Sequence, residues 1–205
     1  GLLGKPGSGK STFAPYLALN LARAASGDED GLKALGERWT HGVLLPVRVT
    51  LREFAQFLVE SKSEGAGGDI WGFVRSSIHG KLGQHEADVI EQLAKRSGAV
   101  FIFDGLDEAS SPEIRNRVVA AVEDFKRSAH PKSRFLITAR PYAWGTPDPS
   151  RGVYEVADLN TVQIKSFIGR WYDALVNWSW LRRDDADERR DHLLPACERS
   201  DLLPL

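Results

Sequence analysis

Eight consecutive residues constrain this chain more than anything else in it. Gly4-Lys5-Pro6-Gly7-Ser8-Gly9-Lys10-Ser11 fits the pattern G-x-x-x-x-G-K-[ST]. The apolar stretch Gly1-Leu2-Leu3 precedes it and reads as the end of a strand. A helical pattern over 10–25 follows, with Leu17 and Leu21 one turn apart on a buried face. Glycines let a backbone wrap a phosphate without Cβ clashes. A helix N-terminus adds positive potential there. The N–H groups of 7–12 are therefore expected to point inward. Lys10 is expected to bring a mobile charge to outer phosphates, and the Ser11 hydroxyl to ligate Mg²⁺. Gly4, Pro6, Gly7, Ser8, Gly9, Lys10, Ser11 and Thr12 are the expected nucleotide-binding positions.

Beyond this loop, strands and helices alternate. Strands are expected over 43–51, 99–103, 135–137 and 153–156; Pro46 points to a place near the sheet edge for the first of these. Residues 26–38 read as a polar loop. Helices are expected over 53–60, from a capping Asp69 to about 78, and over 84–96 with Val89, Ile90, Leu93 and Ala94 on one face. Another starts at Ser111-Pro112, an N-cap followed by proline at the first helical position. Pro15 should bend the first helix. Residues 160–178 are amphipathic, and 181–200 read as a solvated helix or linker. Such alternation implies an α/β fold with a parallel sheet covered on both faces.

Two further strand ends carry polar groups. Phe101-Ile102-Phe103-Asp104-Gly105-Leu106-Asp107-Glu108 is an apolar strand that delivers Asp104 to the carboxyl edge, where ligands bind in such sheets. Asp104 is expected to hold Mg²⁺ through water, and Asp107 and Glu108 to polarise an attacking water. Phe135-Leu136-Ile137-Thr138-Ala139-Arg140 ends a third strand, and Arg140 is expected at the γ-phosphate, where an arginine stabilises developing charge.

Composition narrows the alternatives. Lys plus Arg is 27 and Asp plus Glu 28, so no global basic field exists to hold nucleic acid. No apolar run approaches the length of a membrane span. The single cysteine, Cys197, reads as an inert packing thiol and fits a reducing, cytoplasmic setting. None of His41, His79, His85, His130 and His192 has metal-site spacing. Trp171, Tyr172, Trp178 and Trp180 read as core or interdomain packing rather than a nucleic-acid platform. The chain opens without Met, inside an expected strand, and reads as a segment of a longer protein.

The segments G-K-P-G-S-G-K-S-T, L-P-V-R-V-T-L-R-E-F, F-I-F-D-G-L-D-E-A, L-I-T-A-R-P and F-I-G-R-W-Y resemble a NACHT domain of the STAND class of P-loop NTPases, in particular one from a bacterial protein. The resemblance covers about residues 1–175. Its most specific part is a small residue, Gly105, directly after the magnesium-binding Asp104, with paired acids Asp107 and Glu108 shortly after. It implies a three-layer α/β/α core over 1–158, with a five-stranded parallel sheet whose first strand is truncated. The strand ending at Thr138 would lie between the loop strand and the Asp104 strand. Residues 159–205 would be a helical segment leading to a helical domain. The resemblance also implies ATP binding, with GTP possible, slow Mg²⁺-dependent hydrolysis, and a sensor role for Arg140. It further implies nucleotide-controlled self-association and linkage to sensor and effector domains of the same chain in signal transduction, innate immunity or antiviral defence. No nucleic-acid or membrane partner is expected.

Three other readings compete. Gly105 stands where an adjacent catalytic acid would be, so a nucleotide-binding oligomerisation module with negligible turnover is the alternative. A helicase- or transporter-type motor lacks its basic stripe or signature motif here, and a Ras-type switch lacks N-K-x-D.

Overall fold

The computed structural model describes residues 1–81, 83–145 and 152–196. The chain divides into two compact units, 1–156 and 157–205. Cys197 and Leu202-Leu203-Pro204-Leu205 lie outside the described residues.

The first unit is α/β. Its five strands are β1 (Leu2–Leu3), β2 (Leu45–Thr50), β3 (Ala99–Asp104), β4 (Arg134–Ala139) and β5 (Tyr154–Glu155). They form one sheet in the order β2-β3-β4-β1-β5, with every pairing parallel. The strand ending at Thr138 therefore does separate the loop strand from the Asp104 strand. Pro46 does sit in an edge strand, where proline is tolerated.

Helices lie against both faces, compatible with three layers. On one face Ala14, Leu17 and Leu21 of α1 (Lys10–Ala25) pack against Val100 and Ile102, with Leu136 partly buried beside them. On the other, Val47, Val49, Phe101 and Phe103 meet α3 (Leu51–Glu60), α4 (Gly68–His79), α5 (Gln84–Ser97) and α6 (Pro112–Ser128). Period-two alternation along β2 and β3 sorts these residues between faces. β3 is the central member of the apolar trio and is buried at all six positions, as a strand covered on both sides must be. Phe101 anchors an aromatic cluster with Trp71 and Phe125, at centroid distances of 5.7 and 4.8 Å.

Several local expectations are corrected. Residues 26–38 contain a short helix, α2 (Asp30–Leu35); it packs so closely on α1 that a Cβ at Gly31 would lie 2.4 Å from the Asn20 carbonyl oxygen. Asp69 falls inside α4, and its carboxylate accepts from the Ala66 N–H at 2.7 Å and from Ser63. It fastens the preceding loop, while Gly67 is the N-cap. On α5 the buried residues are Ala87, Glu91 and Ala94; Val89 and Leu93 are exposed.

The second unit comprises α7 (Thr161–Asn177) and α8 (Arg183–Ala196). A capping box starts α7: the Asn160 side chain accepts from the Gln163 N–H, and the Gln163 side chain accepts from the Asn160 N–H. Ile168 is its one buried residue, while Trp171, Trp178 and Trp180 are exposed and so are not core. α8 is the solvated helix alternative for 181–200. Among the described residues, no helix is long and apolar enough to cross a membrane.

Candidate functional site

The glycine-rich loop leaves β1 and enters α1, so the anticipated strand–loop–helix context is present. Its interior is closed by its own lysine. Lys10 Nζ donates to the Gly4 carbonyl at 2.5 Å, the Lys5 carbonyl at 2.9 Å and Ser8 Oγ at 3.3 Å. Gly4 is closely approached by the loop: a Cβ there would lie 2.4 Å from Ser8 Oγ, which would have to rotate away. Two of the amides expected to point inward have backbone partners instead. Ser8 N–H donates to the Lys5 carbonyl and Thr12 N–H to the Gly9 carbonyl. Amides in the first turn of α1 otherwise have no acceptor within the helix. No side chain caps this terminus. Ser11 and Thr12 open the helix at solvent-exposed positions.

Sheet register brings the other residues to the same edge. Leu3 pairs with Ala139, so Gly4 and Arg140 leave neighbouring strand ends. Phe103 pairs with Ile137, so Asp104 and Thr138 stand side by side. Thr138 Oγ1 donates to Asp104 Oδ1 at 2.7 Å and accepts from the Gly105 N–H at 2.8 Å. Asp104 Oδ2 accepts from Arg48 Nη2 at 2.7 Å. Neither Thr138 nor Arg48 was singled out from the sequence. The available signal for Arg48 was a charge between Val47 and Val49 in an otherwise apolar strand.

Asp107 and Glu108, expected to act together, have different surroundings. Both belong to a 3₁₀ turn, Leu106–Glu108, that follows Gly105. The Asp107 carboxylate accepts from the Arg140 backbone N–H at 3.0 Å and pairs with Arg140 Nε at 2.9 Å. Its side chain is only 9 % exposed. Arg140 is thus tied to the turn after β3. Glu108 is exposed, and its carboxyl lies over Gly105, 3.1 Å from where a Cβ would stand. Gly105 has φ +84°, so any side chain there would be strained as well as crowded.

The donor set limits which cation fits. Asp104 and Ser11 offer one carboxylate and one hydroxyl. Among the described residues no group of three or more His, Cys, Asp or Glu is placed to hold a metal ion. So sparse a set suits Mg²⁺, which retains waters and takes further oxygens from phosphates. It does not suit zinc, which needs three or four nitrogen or sulfur ligands.

No family model, no curated protein and no solved structure matches the chain.

Proposed function

We propose that residues 1–156 form the nucleotide-binding core of a NACHT-type P-loop NTPase. In this reading the core binds ATP with Mg²⁺, hydrolyses it slowly, and thereby controls conformation and self-association of a larger cytoplasmic signalling or defence protein. One observation carries the reading: Lys10 Nζ sits inside a strand-to-helix loop, held by three oxygens of that loop. A phosphate entering the loop would take over those N–H donors and exchange neutral acceptors for charged ones, which bind an ammonium about twice as strongly.

The remaining roles follow from position. Lys10 binds the outer phosphates and Ser11 presents its hydroxyl beside them. Asp104 faces the same edge and is oriented by Thr138. Mg²⁺, when bound, neutralises phosphate charge. Arg140 responds to the γ-phosphate, and Asp107 positions Arg140 instead of polarising water. Orientation of the water falls to Glu108, which is exposed and lies beside Gly105.

The capture of Asp107 by Arg140 also favours a second reading, a nucleotide-binding oligomerisation module with negligible turnover, because it leaves one acid where two were expected. Two measurements test the proposal. Lys10→Ala should weaken nucleotide binding about ten- to a hundredfold, the loss of a charge-assisted contact; unchanged affinity would overturn the phosphate-loop assignment. Single-turnover hydrolysis in wild type and Glu108→Gln separates the two readings. Equal rates at background level favour the non-hydrolysing module.

A further inference from the structure

Asp104 is held by two different kinds of partner. Oδ1 is fastened from within the fold by Thr138, which is 1 % exposed. Oδ2 is covered by the Arg48 guanidinium, whose side chain is 40 % exposed. Arg48 hangs from the edge strand β2, in register with Ile102 and hence on the α1 face of the sheet. A positive charge therefore occupies the one oxygen of Asp104 that is not committed to the fold.

Two cations compete at such an oxygen. A guanidinium and a divalent ion repel each other, and the guanidinium also forms a directional, charge-assisted bond that must be given up or bent. Resting on the nucleotide-site reading above, we propose that Arg48 is an internal counter-ion that competes with the divalent cation for Asp104. It stabilises the carboxylate in the ligand-free chain and raises the cation concentration needed for tight nucleotide binding. The described ion pair of Arg48 is with Asp104, and no described bond joins it to the loop or to Arg140. Arg48 is a positioning residue that sets a threshold.

The experiment uses the whole chain, a fluorescent non-hydrolysable ATP analogue, and Mn²⁺ as the metal probe. Free Mn²⁺ is followed by electron paramagnetic resonance. In Arg48→Gln the Mn²⁺ midpoint for nucleotide binding should fall about three- to tenfold, the charge-assisted contact discounted for its exposure. Thermal melting in EDTA should be lower for Arg48→Gln than for wild type, and the gap should close with metal and nucleotide together. Loss of a purely structural contact would lower stability in both conditions and would not lower the metal midpoint. Arg48→Lys keeps the charge but lacks the planar fork, so its midpoint should fall by less. A midpoint that stays or rises in Arg48→Gln overturns the proposal; if that variant does not fold, an unmoved midpoint in Arg48→Lys does the same. Wild-type protein that binds no nucleotide at any metal concentration overturns the site assignment itself, and the role of Arg48 with it. Metal-dependent binding by wild type alongside unaltered Arg48 variants removes the counter-ion alone.

Discussion

Thr138→Val isolates the oxygen on which the Asp104 strand end depends. The substitution keeps the shape of the side chain and suits a strand, so packing and propensity change little. It removes the hydroxyl that joins the Gly105 N–H to Asp104 Oδ1. The bond to the carboxylate is worth about 1.5–3 kcal/mol, and the buried Gly105 N–H left without an acceptor costs about 1–3 kcal/mol more. One hydroxyl serves both partners, so the two losses do not simply add. A net loss of about 3 kcal/mol is the working figure, which in a domain of this size lowers Tm by about 6–12 °C. Thr138→Ser is the control: it keeps the hydroxyl and gives up about 0.8 kcal/mol for one buried methyl. Differential scanning calorimetry on the two variants measures the difference directly. A valine variant that melts with the serine variant would refute the claim that this hydroxyl holds the strand end together.

Three further outcomes are expected. Asp107→Asn should release Arg140 and, like Arg140→Ala, reduce the preference for triphosphate over diphosphate by about tenfold, the scale of one charge-assisted contact; Glu108→Gln should leave both affinities intact and slow single-turnover hydrolysis. Competition binding with a non-hydrolysable triphosphate and the diphosphate distinguishes them, and equal behaviour of the two acids would show that they act as a pair. Asp124 supplies a pH test: its carboxyl is held below the ordinary value of 3.8, first by the Gly67 N–H at 2.8 Å and then by Arg127. Its contribution is thus fully present above that ordinary value and is lost as pH falls through the lower folded value. Urea midpoints of wild type and Asp124→Asn should therefore begin to converge once the pH falls below that ordinary value, and parallel curves would contradict the assignment.

The parts of this fold legible in sequence are those written locally. The loop, the apolar β3 and the proline-marked edge strand each depend on neighbours in the chain, and each stands where periodicity and turn chemistry put it. The position of β4 between β1 and β3 followed only from the family resemblance, since no local pattern encodes strand order. The partners of Asp104 were illegible for a related reason: Thr138 lies 34 residues away and Arg48 56. Asp107 and Glu108 are adjacent in sequence, yet a 3₁₀ turn sends one inward to Arg140 and leaves the other exposed. On α5 the hydrophobic pattern misled, because burial there selects Ala87 and Glu91, and Glu91 is kept inside by ion pairs with Lys95 and Arg75.

The placement of β1 also bears on how the chain folds. β2, β3 and β4 join through partners tens of residues apart, such as Asp104 and Thr138, 34 apart. β1 instead docks between β4 and β5, and the Leu3 carbonyl accepts from the Val156 N–H at 2.8 Å, from the far end of the same unit. Closing the longer span costs about 1.3 kcal/mol more in loop entropy. Contacts so distant in sequence form late. The β1–β4 seam, from which the Lys10 loop leaves, is therefore expected to assemble after the β3–β4 seam, which carries Asp104. A ligand that reaches both Lys10 and Asp104 would act as a clasp across the seam that closes last.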